Sequence, residues 1–490
     1  MAGDPFQESS PDASDAAPFR RHLGPVRLTA MGVAAIIGGG IFVLTGTAAA
    51  SYAGPGVALS FVLSGFACFF AALCYAELAS MMPAAGSAYT YALATMGKGV
   101  AWSVGWTLIL EYLFATSTVA VGWSGYLSAL LGQVGVALPT AWAQAPLAFL
   151  PQTGWSSSGA VINLPAALIV LALSGVLAAG IRGSSFIWTM LTVIKAAVVL
   201  LVLGFGALHV NPANWHPFVP ANQGHFGEYG ASGVIRAAGV VFFAYVGFDM
   251  VSTSGAEALN PTRDIPRSIL ASLGVCTALY VGMSLVVTGL APYHVLNVPN
   301  PIFVAIARAP SLHWLAVLVN VGAVFGLASA MMVTLYGQTR IFYQMSRDGF
   351  LPGFLGQVSR RFRTPVQSTW FVGIAAAGVA AFLPVDVLGQ LVSIGTLFAF
   401  AIVCLGVLIL RRTAAGVPRR FRVPAVGLVA PLGAALCLGM MLSLPLATWV
   451  RFIAWLAVGA LIYPFVRRRV ADFDHLGKIT ARPRLGRVAS

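Results

Sequence analysis

About twelve apolar runs follow one another along this chain, most of them near the roughly 20 residues that cross a hydrocarbon core. We place them near residues 29–52, 57–82, 99–131, 161–181, 185–208, 232–257, 268–291, 316–345, 367–383, 387–410, 425–445 and 448–466. Lipid cannot hydrogen-bond a peptide group, so each run must satisfy its own backbone as a helix. The reading is an all-α polytopic membrane protein. Composition agrees: 58% of residues are hydrophobic and 9% charged, against about a quarter charged in soluble domains. The longest connections, such as 140–159 and 346–368, leave no room for a separate water-soluble domain.

One of these runs is broken. Gly38-Gly39-Gly40 lie in the middle of the first, where each glycine costs a helix about 1 kcal/mol relative to alanine. Such a break is tolerable only where the freed backbone meets protein, a cavity or a ligand. The sixth run, VVFFAYVGFDMVSTSGAEAL (240–259), carries Gly247 at a comparable depth, with Asp249 two residues on. Interrupted helices at matching positions point to an inverted repeat, here helices one to five against six to ten.

The formal charge of +14 would suggest nucleic acid in a soluble protein. Here its placement speaks of topology instead. If helices alternate, Arg20, Arg21, Arg27, Lys98, Arg182, Arg263, Arg267, Arg347, Arg360, Arg361, Arg363, Arg411, Arg412, Arg419, Arg420, Arg422 and the tail from Arg467 share one side, while Arg308 and Arg451 lie opposite and Arg236 lies near a helix start. The positive-inside rule then puts both termini in the cytoplasm, and no nucleic-acid partner is expected. The first 19 residues, with four acids and no apolar core, read as a tail and not a signal peptide, leaving the first helix as targeting signal. The five cysteines (Cys68, Cys74, Cys276, Cys404, Cys437) all fall within apolar runs at no metal-ligand spacing, and read as small buried hydrophobes. The seven histidines lie in loops and tails. No P-loop, HExxH or GxSxG occurs in a supporting context, so neither an enzyme nor a bound cofactor or metal is expected.

Ionisable groups inside a membrane cost about 2.5–3.5 kcal/mol or more and are functional by default. Lys195 lies about ten residues into helix five, too deep to snorkel easily. An amine there that gains and loses a proton would couple movement to protons; the alternative is a permanently charged lysine tied to a carbonyl or carboxylate. Glu111 in helix three is open to three readings: contact with a substrate ammonium, a protonated acid, or a pair inside the bundle. Asp249 fits a cap on the resumed half-helix as well as a substrate contact. Glu77 and Glu257, near helix ends, fit ion pairs at loops or a gate.

An unwound helix exposes two ends of opposite polarity. Amides at the start of the resumed half, at Gly39, Gly40 and Ile41, make an anion site aided by the helix dipole. Carbonyls of Ala35, Ile36 and Ile37 point toward a cation, and helix six adds those of Phe243, Ala244 and Val246. Carboxylate and ammonium sites a few ångströms apart match the backbone of an α-amino acid. A plain kink, or a close helix contact through small residues, is the competing explanation.

Four segments in order carry a family resemblance: GVAAIIGGGIFVLTG in helix one, YAELASMMPAAGSAYTY after helix two, FFAYVGFDMVSTSGAEALNPTRDIPRSI across helix six, and GQTRIFYQMSRDGFLP with RFRTP after helix eight. Over most of residues 22–412 the chain resembles the amino acid–polyamine–organocation superfamily, specifically bacterial relatives of cationic amino acid transporters. The resemblance implies twelve helices, a five-plus-five inverted repeat with unwound helices one and six, and alternating access. It implies that substrate carboxylate meets the Gly39 and Gly40 amides, that substrate ammonium meets carbonyls of Ile36, Phe243 and Val246, and that the Phe243 ring covers the site. Lys195 matches the helix-five lysine that, in proton-coupled relatives, replaces a sodium ion bridging helices one, five and eight; Glu111 matches a helix-three glutamate of this branch. Relatives often carry Thr, Ser or Ala where this chain has Gly39, so a hydroxyl contact is absent here.

The expectation is therefore a permease of a bacterial inner membrane, moving a free neutral or cationic amino acid with protons, or else exchanging one amino acid for another. A transporter-like sensor is the rival from another class. The transporter core would span 28–412, between a cytoplasmic segment 1–27 and helices eleven and twelve (413–466), with a basic tail at 467–490.

Overall fold

The computed structural model describes residues 24–81, 87–150, 154–180, 185–248, 259–359, 361–362, 364–417, 419 and 421–480. Asp249 and Glu257 lie outside these residues, so the expectations attached to them stay with the sequence.

Twelve crossings are present among the described residues. Helix one enters as Pro25–Ile36 and resumes as Gly40–Leu44, Thr45–Ala48 and Ala49–Ala53. Helices two to five are Val57–Met81, Lys98–Gln133, Leu164–Ala178 and Ser185–Ala207. Helix six is Gly230–Val241 continued by the tight turn Phe242–Tyr245, and helices seven and eight are Pro261–Leu290 and His313–Arg347. Helices nine to twelve are Val366–Phe382, Val385–Thr413, Val426–Ser443 and Leu446–Thr480. The apolar runs thus mark most of these crossings to within a few residues; helix seven begins at Pro261, ahead of its run at 268, and the end of the sixth run lies outside the described residues. Local chemistry explains several starts. Proline, whose missing N–H costs nothing at a first helical position, opens helices one and seven. Asn163 caps helix four, its Oδ1 accepting from Ala166 N at 3.2 Å and from Ser124 Oγ at 2.7 Å. Gly54, at φ +59°, turns helix one into helix two.

Three features were not expected. A ten-residue helix, Ser87–Met96, follows helix two. The 140–159 loop folds into an antiparallel hairpin pairing Leu147–Leu150 with Gly154–Ser157. Helix twelve continues past residue 466 to Thr480. Each lies outside the apolar runs, where hydropathy carries no period to read.

Contacts at the two ends respect the alternation. At the basic end, Ser268 Oγ of helix seven donates to Pro25 O of helix one (3.0 Å), and Thr364 Oγ1 donates to Ala178 O (2.8 Å). Glu77, read as a helix-end ion pair, is 1% exposed; it accepts from Arg411 Nε and Nη2 at 2.8 and 2.7 Å and from Val423 N at 2.7 Å, with Arg419 Nε 3.3 Å away. At the other end, Tyr229 N donates to Tyr52 O (2.9 Å) and Asn163 N to Ala381 O (3.0 Å). The second half of helix one runs through the middle of the bundle and is almost wholly buried, whereas only 11% of the helix-twelve span is.

Candidate functional site

Helix one stops where its glycines begin. Ile37 leaves helical geometry (φ −67°, ψ 100°), and Gly39 starts the next segment. Helix six breaks in the same way: Val246 turns extended (ψ 134°) and Gly247 takes φ +117°, a conformation that only glycine adopts without strain. The two breaks interlock. A Cβ on Gly40 would collide with the Ala244 backbone, and a Cβ on Gly247 would lie 2.8 Å from Ala35 O. Each break therefore seats its glycine on an alanine of the other, as two related halves would.

Between them lies a cavity of about 40 Å³. Helix one contributes Ala35, Ile36 and Gly38 to Gly40; helix six Phe243, Val246 and Gly247; helix three Tyr112 and Val119; helix eight Ala330, Val333 and Thr334. Among the described residues, no charged side chain lines it. The volume compares with about 30 Å³ for one water in the liquid, so an amino acid enters only if helices part. Gly39 meets the wall closely: a Cβ there would approach Val119 Cγ2 to 2.6 Å and the Phe243 ring to 3.4 Å. Helices three and eight are tied beside the cavity by Thr116 Oγ1 and Thr334 Oγ1, 2.8 Å apart.

The free backbone groups have partners in this conformation. The Tyr280 hydroxyl, fully buried in helix seven, lies 2.7 Å from Ile36 O and 2.8 Å from Ala244 O. It has one proton to give, so at any instant it holds one break or the other. Val246 N donates to Phe243 O (3.1 Å), and Ser393 Oγ accepts from Phe243 N (3.2 Å) while donating to Val240 O (2.8 Å). On the other side of helix one, Tyr126 Oη donates to Phe42 O (2.8 Å). A carbonyl has a second lone pair, so the Ile36 and Phe243 oxygens remain able to accept from an ammonium.

Lys195 is 3% exposed, and its Nζ donates to Ala34 O in the last turn before the helix-one break. Gly326 of helix eight packs against it, where a Cβ would come within 2.9 Å of Lys195 Cβ. One side chain thus joins helices five and one with helix eight against its stem, and Cys276 of helix seven lies within electrostatic reach.

A family model described as "Amino acid permease" matches residues 23–463. The chain belongs to the amino acid permease family. It is 43% identical over 452 residues to the branched-chain amino acid permease BcaP of Bacillus subtilis, covering 92% of this chain and 94% of that protein. It is 42% identical over 449 residues to the methylthioribose transporter of the same organism, with coverage of 92% and 94%. Similarity to the vacuolar cationic amino acid transporter 4 of Arabidopsis thaliana is 37% over 391 residues, 80% of this chain and 63% of that one. The permease is thus a multi-pass secondary amino acid transporter and not an enzyme.

Of the residues singled out in the sequence, Ile36, Gly39, Gly40, Phe243 and Val246 line the cavity of the permease. Ile37, Ile41 and Ala244 are buried directly behind it. Glu111 is buried beside Tyr112, and it is Tyr112 that lines the cavity. Tyr280 and Ser393 were not anticipated. A lone hydroxyl in an apolar run signals a buried partner, but the partners here are helices one and six, far away in sequence.

Proposed function

We propose that this permease imports a neutral amino acid with an apolar side chain by proton-coupled alternating access. The observation that carries the reading is the cavity between the two helix breaks: backbone polarity at its ends, apolar walls from Val119, Val333 and Phe243, and no charged side chain on its lining among the described residues. A zwitterion finds carboxylate donors at Gly39 and Gly40 and ammonium acceptors at Ile36 and Phe243. Its side chain then faces hydrocarbon, which disfavours a cationic substrate. The branched-chain relative agrees with this reading. The methylthioribose relative, of nearly equal identity, shows why similarity alone does not choose the substrate.

Lys195 supplies the coupling. Its bond to Ala34 O ties the first half of helix one to helix five; losing the proton removes a charge-assisted bond and frees that half-helix to swing. Helices one, two, six and seven would rock against a scaffold holding helices three and eight. Basic residues on the side of the termini support an inner-membrane orientation with both ends cytoplasmic. Residues 28–412 act as the transporter core.

The test is a thermal-shift screen of the purified permease against the twenty amino acids and methylthioribose, followed by uptake into liposomes under a pH gradient. Stabilisation by leucine, isoleucine or valine with gradient-driven accumulation is expected. Stabilisation by lysine or arginine alone, by methylthioribose alone, or uptake only against internal amino acid, would sink it.

A further inference from the structure

A second cavity, about 520 Å³, lies apart from the helix breaks. Its walls come from Trp102 and Trp106 of helix three, Phe342 of helix eight, Phe371 of helix nine, and Trp455 and Phe465 of helix twelve, with the segment Gly349–Leu355 closing its basic end. Gln338 is the one amide, hydroxyl or charged side chain on the lining among the described residues; its Nε2 is bonded to Ile109 O at 3.1 Å, and its Oε1 is buried without a partner. A zwitterion there would have that single acceptor in place of its hydration and no donor for its carboxylate. The space is sized for a ligand, within the roughly 300–1,000 Å³ of ordinary ligand pockets.

The cavity is braced open. Trp106 Nε1 donates to Trp455 O (2.7 Å) and Trp455 Nε1 to Trp106 O (2.9 Å), while Trp102 Nε1 donates to Gly459 O (2.9 Å). The rings of Trp106 and Trp455 stack at 4.7 Å. These bonds pin helix twelve to helix three and leave only ring surface toward the space. Helix twelve is the lipid-facing edge of the bundle; Phe465 on the cavity wall is 77% exposed. The opening is therefore toward the bilayer, and a lipid is what meets it.

The rim selects among lipids. Gln338 sits nine residues before Arg347, about 14 Å along the helix, so the cavity runs from mid-membrane to the basic end. Exposed Arg347 lies over Tyr343 at that end, and Lys98 begins helix three one turn before Trp102. The acid nearby, Asp348, is engaged by Tyr89 Oη (2.8 Å) and Gln344 Nε2 (3.2 Å). We propose that this cavity binds an acyl chain of an anionic phospholipid of the cytoplasmic leaflet, its headgroup held among these basic residues. The choice of leaflet rests on the orientation proposed above; the lipid site does not.

Intact-complex mass spectrometry of the permease, purified in mild detergent and exchanged through phosphatidylglycerol or phosphatidylcholine, tests the proposal. One retained phospholipid is expected, with phosphatidylglycerol preferred roughly tenfold. Ala375→Trp, which fills the cavity from helix nine, should release it while amino-acid stabilisation persists. Arg347→Gln should keep a lipid but flatten the headgroup preference. Undiminished retention in Ala375→Trp, equal retention of both lipids by the unaltered permease, or a bound polypeptide in place of lipid overturns the proposal. Labelling of the C-terminal tail from outside would reverse the leaflet and leave the retention result standing.

Discussion

The two cavities of this permease are built on opposite terms. The one at the helix breaks is about 40 Å³ and rich in backbone groups, and its walls touch; the one beside helix twelve is about 520 Å³ and almost purely side chain, and its walls are held apart. In the function proposed above, the smaller space is the transport site. Backbone polarity is expensive in a membrane unless matched, and at the breaks Tyr280 and Ser393 match part of it. Ring surface has no such demand, and stacked tryptophans with their N–H groups already bonded have no reason to move. Size therefore separates the two poorly, and the share of backbone polarity on the lining separates them well.

The comparison breaks most sharply at Gly40. Gly40→Val drives a side chain into the Ala244 backbone, an overpacking cost of about 1–3 kcal/mol. It should abolish uptake and amino-acid stabilisation while leaving lipid retention intact. Next comes Lys195→Met. Accumulation driven by a pH gradient should fall to background, with amino-acid affinity within about threefold, less than 1 kcal/mol; retained proton-driven accumulation would remove Lys195 from the coupling. Tyr280→Phe sharpens the comparison. It removes the one donor that the Ile36 and Ala244 carbonyls share, at about 1–3 kcal/mol, and a bound ammonium can supply the missing donor. The ligand-free permease should thus lose more stability than the bound one, and the amino-acid-induced shift in Tm should grow. The smallest effect is expected at the other cavity: Trp455→Phe removes one hydrogen bond, worth about 1 kcal/mol. It should lower Tm by a few degrees with amino-acid affinity unchanged, a result to read by calorimetry beside a binding titration.

Much of this was legible in the chain. The apolar runs locate twelve helices because each must satisfy its backbone alone, a local requirement that leaves a local trace. Gly38-Gly39-Gly40 and Gly247 declare the breaks for the same reason, and the depth of Lys195 singles it out before any contact is known. Tyr280, Ser393 and Thr334 were not legible. Each is an ordinary polar residue in an apolar helix, and what distinguishes it is a partner that only folding supplies. Glu111 is the converse case: conspicuous in sequence, it sits beside the cavity-lining Tyr112 rather than on the lining.

By itself, then, the sequence determined that this chain is a bundle of membrane helices with two interruptions and an amine buried near one of them. Those properties follow from the mismatch between peptide groups and lipid, which acts residue by residue. Only the tertiary structure decided that Gly40 rests on Ala244 and Gly247 on Ala35, that one tyrosine proton serves both breaks, and that the larger of the two cavities lies beside helix twelve and not at the breaks. These depend on which helix faces which, and packing of that kind is set by the whole bundle at once.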